Sequence, residues 1–212
     1  ELEIALGEDK SVIVPAFAVG RTQELIRILA ENNFKGQVYL DGMGQRTTQL
    51  SLEYPSYFRS PRSFVQAVKK IHFVSDEMRR KIGRNSPAVI IATAGMVEGG
   101  PALGYMQRLS KFGGYKGFLT GFQVPGTNGR MLLEKKSVKI DGKVRNLDCE
   151  VQYFDFSAHA GKSALFSYVE NINPDKVYCV HGDEKVCMDF AAALTEEGFD
   201  ATAPELGKSY EA

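Results

Sequence analysis

The feature that most restricts the fold of this chain is an alternation. Short apolar runs take turns with stretches whose apolar residues recur at helical spacing. Ser11 to Phe17 (SVIVPAF) reads as a buried strand, and Gly20-Arg21-Thr22 then opens a helix. In that helix Leu25, Ile26, Leu29 and Ala30 share one face, and Asn32-Asn33 stops it. Gln37 to Leu40 is the next strand and ends at Asp41-Gly42; a helical stretch around Thr47 to Tyr54 follows, broken by Pro55 and Pro61. Ala88 to Thr93 (AVIIAT) is a third strand, which turns through Ala94-Gly95-Met96 and Gly99-Gly100-Pro101 into a helix over Ala102 to Leu109. Gly117 to Phe122 is a fourth. Strands that alternate with helices imply an α/β fold with a mostly parallel sheet flanked by helices.

The texture changes near Gly126. Ser137 to Ile140, an Asp141-Gly142 turn and Lys143 to Arg145 predict a hairpin, and Glu150 to Phe154 continues as strand. Helices are expected over Lys162–Asn171 and Glu184–Glu196, with the strand Val177–Val180 between them. The expected division is therefore residues 1–125 and 126–212. No long linker, low-complexity tract or internal repeat separates the two. The chain does not begin with methionine, and Glu1 to Leu6 already reads as ordered structure, which suggests a piece of a longer protein.

Charge and cysteine content narrow the setting. Lysine plus arginine equals aspartate plus glutamate, 26 each, so no whole-chain charge advertises nucleic acid. A local stripe is what binds phosphates. Arg59, Arg62, Lys69, Lys70, Arg79, Arg80, Lys81 and Arg84 outnumber Asp76 and Glu77, as either a solvated face or such a stripe. Cys149, Cys179 and Cys187 form no CxxC pair, and their odd number argues against a disulfide scaffold. A reducing, cytoplasmic setting is expected. No apolar run approaches the ~20 residues of a membrane span, and no signal peptide is expected.

Two of the three histidines have matched surroundings. His159 lies in Phe156-Ser157-Ala158-His159-Ala160-Gly161, and His181 in Val177-Tyr178-Cys179-Val180-His181-Gly182-Asp183-Glu184. Each follows a strand-like run and precedes glycine and a helix, so both imidazoles belong at the carboxyl ends of strands, where open α/β sheets build sites. Small residues around His159 let a ligand approach the backbone, and the free N–H groups of the following helix suit a phosphate. A capping turn with an incidental histidine explains the same residues. His181 at a strand end suits a metal, with Asp183 capping the next helix. Two histidines alone are too few for a catalytic metal. His72, in the run Lys69 to Val74, reads as structural.

Arg21 has two uses at its strand-to-helix junction, a phosphate contact or an ion pair with Glu24. Glycines in Thr93-Ala94-Gly95-Met96 and Glu98-Gly99-Gly100 permit a tight turn or close approach of a substrate to the backbone. The glycine-rich Gly121 to Arg130 (GFQVPGTNGR) lacks the Lys-Ser/Thr of a P-loop. No GxGxxG, HxH, HExxH or GxSxG occurs, which argues against dinucleotide binding, zincin proteolysis and α/β-hydrolase chemistry.

In order, VPAFAVGRTQEL (14–25), ATAGMVEGGPALGYMQRL (92–109), GFQVPGTNGR (121–130), DFSAHAG (155–161) and VHGDE (180–184) resemble the β-CASP family of metallo-β-lactamase-fold nucleases. By texture the archaeal relatives of the cleavage and polyadenylation specificity factor endonuclease subunit are nearest, then bacterial RNase J-type enzymes. The resemblance implies a β-CASP domain over 1–125 and the C-terminal part of the metallo-β-lactamase domain over 126–212. It implies a two-zinc RNA hydrolase that serves RNA 3′-end processing or decay, endonucleolytic with 5′-3′ exonuclease action as a further option. It makes His181 a zinc ligand and His159 a catalytic residue beside the scissile phosphate. Arg21, Thr93, Gly95, Met96, Ser157 and Ala158 then line a cleft for single-stranded RNA. A homodimer is compatible with the resemblance.

The chain departs from the family pattern in one respect. The HxHxDH motif, the further histidine and the bridging aspartate of the main zinc site are not in it. The resemblance puts them, with the first acidic motif, in an N-terminal segment that this chain lacks, and the isolated chain is then expected to be inactive. A non-catalytic RNA-binding or scaffold member of the family is the alternative.

Overall fold

The structure is a computed structural model and describes residues 1–83, 86–111, 114–156 and 159–210. Helix α1 (Leu2–Gly7) leads to β1 (Ser11–Pro15), α2 (Arg21–Glu31), β2 (Val38–Asp41) and α3 (Met43–Glu53). A 3₁₀ turn (Pro55–Tyr57), α4 (Pro61–Val68), β3 (His72–Phe73), α5 (Asp76–Arg79) and β4 (Val89–Ala92) come next. Then follow α6 (Gly100–Leu109), β5 (Tyr115–Leu119), α7 (Asn128–Lys135), β6 (Ser137–Ile140), β7 (Lys143–Asn146) and β8 (Glu150–Tyr153). The last elements are α8 (Lys162–Ile172), β9 (Val177–Tyr178), α9 (Glu184–Glu196) and β10 (Ala201–Thr202).

Six of these strands form one sheet in the order β3-β2-β4-β1-β5-β8, and every pairing in it is parallel. All residues of β1, β4 and β5 are buried, as strands covered on both faces must be. Their side chains divide by alternation. Ile13, Ile90 and Ala92 face a cluster with Ala102, Tyr105, Met106 and Leu109 of α6 and Leu132 of α7. Val12, Val14, Val89 and Ile91 face the opposite cluster with Leu25 and Ile26 of α2 and Phe64, Ala67 and Val68 of α4. Each fully buried aliphatic side chain here contributes about 1.5–3 kcal/mol. The expected mostly parallel α/β sheet flanked by helices is the one observed.

Several local expectations differ from the structure. Pro61 does not break a helix but opens α4 in its first turn, where its missing N–H costs nothing. The glycine-rich stretch becomes helical from Asn128, with Thr127 as a cap that accepts from Arg130 N–H. Phe17, read as the end of a buried strand, is exposed because β1 stops at Pro15. The strand at Val177 is two residues long, although Cys179 N–H still donates to Thr202 O (2.8 Å). The Asp141-Gly142 hairpin forms, with β6 antiparallel to β7.

Compactness divides the chain into Glu1–Phe156 and Ser157–Ala212, well beyond the change of texture at Gly126. β8 pairs with β5 along four residues, which draws the intervening segment into the first unit. The second unit holds α8, α9 and the parallel pair β9-β10 around Val169, Cys179, Ala191 and Leu194. Among the described residues no helix is long and apolar enough to cross a membrane.

Candidate functional site

In the first unit the carboxyl ends of β1 and β4 form a switch point, the position at which α/β sheets place a ligand crevice. These strands are neighbours, yet the helix after β1 packs on one face and the helix after β4 on the other. Such a reversal marks the place where α/β sheets bind ligands. Thr93, Gly95 and Met96 lie on the loop after β4, and Arg21 begins the helix after β1.

The loop after β1 is fixed by the helix that follows it. Thr22 Oγ1 donates to Phe17 O (2.7 Å), Gln23 Nε2 to Ala18 O (3.0 Å), and Gln23 Oε1 accepts from Gly20 N–H (2.8 Å). The loop after β4 is fixed from the side of β5. Gln123 Nε2 donates to Gly121 O (2.9 Å) and Gly95 O (3.4 Å), and Gly129 N–H donates to Met96 O (2.8 Å). Asn128 Nδ2 binds Val97 O and Lys139 O, while its Oδ1 accepts from Lys139 N–H (2.6 Å). The glycine-rich segment is thus a brace for the Thr93–Gly99 loop, a role its composition alone did not disclose.

Gly95 is glycine for steric reasons. A Cβ there would stand 3.0 Å from both the ring and the backbone nitrogen of Phe17. The Phe17 ring is therefore seated on bare backbone, and it is 48% exposed. Phe122, on the loop after β5, is 64% exposed. Two aromatic faces thus stand on loops leaving paired strands, and sequence reading missed both. Apolar residues next to strands are read as core, and only the strand ends decide otherwise.

Arg21 takes the paired of its two expected uses. Its guanidinium binds Glu24 and the Phe156 carbonyl and lies over the Phe156 ring, 5.8 Å from the centroid. With its side chain 12% exposed, it ties the start of α2 to the segment after β8.

The floor below the loops is Asp41, the last residue of β2 and fully buried. Arg79 grips it with Nε (2.6 Å) and Nη2 (2.8 Å), Tyr105 Oη donates to it (2.9 Å), and so does Gly42 N–H (2.6 Å). Burial pushes the Asp41 carboxyl up, but the bonds from Arg79 and Tyr105 outweigh burial and hold it below its usual range. Burial and the adjacent carboxylate keep the Tyr105 phenol protonated well above its usual range. Gly42, at φ +83°, brings the chain within reach of Thr93, whose Oγ1 accepts from Met43 N–H (3.2 Å).

In the second unit His159 and His181 come together, with ring centroids 6.4 Å apart and planes 21° from parallel. Both are exposed. His181 sits in the left-handed region at φ +65°, a conformation that costs about 1–2 kcal/mol outside glycine. The turn after β9 thus aims this side chain at a conformational cost, a pattern that marks functional sites. Ser157 and Ala158, expected beside His159, lie outside the described residues.

A zinc ion needs about three protein ligands. Among the described residues no group of three His, Cys, Asp or Glu side chains is placed to hold a metal. The two imidazoles therefore do not complete a zinc site by themselves.

Comparison with known proteins fits this arrangement. Residues 22–132 match the Beta-Casp domain, and residues 145–204 match the "Zn-dependent metallo-hydrolase RNA specificity domain". The chain is 33% identical over 200 residues to the probable RNase MJ4 of Methanocaldococcus jannaschii, covering 92% of this chain and 47% of that protein. It is 34% identical over 200 residues to RNase aCSPSF2 of Saccharolobus solfataricus, covering 93% of this chain and 40% of that protein. Against the transcription termination factor FttA of Methanocaldococcus jannaschii it is 32% identical over 203 residues, 85% of this chain and 32% of that protein. The chain thus spans less than half the length of these relatives. The family matches, the ordered motifs and the parallel sheet make this chain a member of the β-CASP family.

Proposed function

We propose that this chain is the RNA-binding side of a metal-dependent ribonuclease acting on single-stranded RNA. The observation that carries the reading is the pair of exposed rings, Phe17 and Phe122, on braced loops at the carboxyl ends of paired strands. Single strands are recognised by stacking bases on aromatic faces while polar and backbone groups hold phosphates. Thr93, Gly95 and Met96 supply a backbone surface for the strand, and Arg21 positions its border through Glu24 and Phe156. The two residues before His159, Ser157 and Ala158, are RNA contacts of the second unit in this reading.

In the second unit His159 is the catalytic group, neutralising charge at the scissile phosphate, and His181 is one zinc ligand. The description of the matching family, a "Zn-dependent metallo-hydrolase RNA specificity domain", supports zinc and RNA as the setting for these roles. The β-CASP domain proper ends near residue 125, and residues 126–212 belong to the metallo-β-lactamase part. RNA 3′-end processing or decay in the cytoplasm is the setting, in accord with three free cysteines.

The purified chain is expected to bind a fluorescent single-stranded RNA without cleaving it. Phe17→Ala and Phe122→Ala should each weaken binding about tenfold, the loss of one base–aromatic stack. Hydrolysis by the purified chain, or equal affinity of both variants and the parent chain, would overturn the reading.

A further inference from the structure

We propose that the solvent face of α3, with the 3₁₀ turn and the start of α4, is a second contact surface for single-stranded RNA, an outer track leading away from the crevice. The inference rests on the RNA reading above. Met43, Arg46, Leu50 and Tyr54 succeed one another at helical spacing and are all exposed. Beyond them Tyr57 is 87% exposed, and Arg59 and Arg62 are exposed as well.

The chemistry of this face selects its occupant. Residues 43–62 carry three arginines, Arg46, Arg59 and Arg62, against the single acid Glu53. None of the three arginines has an ion-pair or hydrogen-bond partner among the described residues. By contrast Arg21, Arg27 and Arg130 are each paired with a glutamate, and Arg79 with Asp41 and Asp76. Unpaired guanidinium groups flanking two exposed aromatic rings suit a chain that carries both phosphates and flat bases. Tyr54 and Tyr57 offer the rings, and the arginines offer charge on either side of them.

The face is also continuous with the crevice. Met43 N–H donates to Thr93 Oγ1 (3.2 Å), so the head of α3 is joined to the loop proposed to carry RNA. Eleven residues of α3 then extend roughly 16 Å, enough to lead a strand well past the crevice.

The test compares labelled oligouridylates of about 6 and about 20 nucleotides, bracketing the usual single-strand site sizes. Binding to the purified chain is followed by anisotropy over a salt series. Tyr57→Ala should weaken the long oligomer about tenfold and leave the short one unchanged. Arg59→Ala with Arg62→Ala should flatten the salt dependence of the long oligomer, its logarithmic slope falling by about 0.7 for each phosphate no longer neutralised. Thermal melting of Tyr57→Ala should match the parent chain, since the side chain is almost wholly in solvent. If the parent chain binds both oligomers and neither variant alters the long one, the outer track is wrong while the crevice reading stands. If the parent chain binds neither, the RNA reading itself fails. Self-association that Tyr57→Ala abolishes, with RNA affinity intact, would assign the face to a second copy and overturn the proposal.

Discussion

At the scale of single residues, Asp41 anchors the crevice and makes a sharp prediction. Removing its carboxylate strands the Arg79 guanidinium and the buried Tyr105 hydroxyl together. Arg79 is partly exposed and can rehydrate, so Asp41→Ala should cost about 2–3 kcal/mol in urea unfolding, the low end for a broken buried pair. Because the folded carboxyl is held below its ordinary value of 3.8, its contribution is complete above about pH 4. It is lost as pH falls further, through the folded value. Asp41→Asn should therefore flatten the acid limb of the stability–pH curve. Gly95→Ala belongs to this scale too. Its Cβ displaces Phe17, so RNA affinity should fall as in Phe17→Ala, with an added stability loss of about 1–3 kcal/mol that Phe17→Ala lacks.

At the scale of elements, two loops from different strands hold each other. Gln123 spans from the end of β5 to Gly95, while Asn128 and Gly129 reach Val97 and Met96. Gln123→Ala should leave the core clusters intact but loosen the Thr93–Gly99 loop. Hydrogen exchange should show loss of protection at Val97 and Gly129, with β1 and β4 unchanged. In the sequence, Gly121 to Arg130 is legible only as a glycine-rich loop. The bracing was illegible because its partners are backbone carbonyls, which carry no residue signature. Asp41 was legible only as a strand end for a related reason. Its partner Arg79 comes from α5, a four-residue helix too short to show periodicity.

At the scale of the whole molecule, the two units differ in how much apolar surface they bury. Among the described residues the first contains both large clusters, and the second the small one around Val169 and Leu194. Amides of α8 and α9 should accordingly exchange faster than those of β1 and β4, through opening that leaves the six-stranded sheet folded. The proposed histidine roles are tested by substitution at these positions in a full-length member of the family. There His159→Ala should reduce turnover while zinc content persists, and His181→Ala should lower zinc content as well. Full zinc content in His181→Ala would refute its role as a ligand.

The architecture is written in the amino-acid order, because alternating short strands and amphipathic helices leave few ways to bury both faces of a sheet. That order also marked His159 and His181, since a glycine after a strand announces a turn wherever it occurs. Only the tertiary structure decided which apolar residues stand outside. Phe17 and Phe122 read as strand residues in the chain, and their exposure depends on where β1 and β5 end. Arg21 makes the same point with charge. Its sequence setting permits a phosphate or a carboxylate, and the choice between them rests on Glu24 and the Phe156 carbonyl, which folding brings to the same guanidinium.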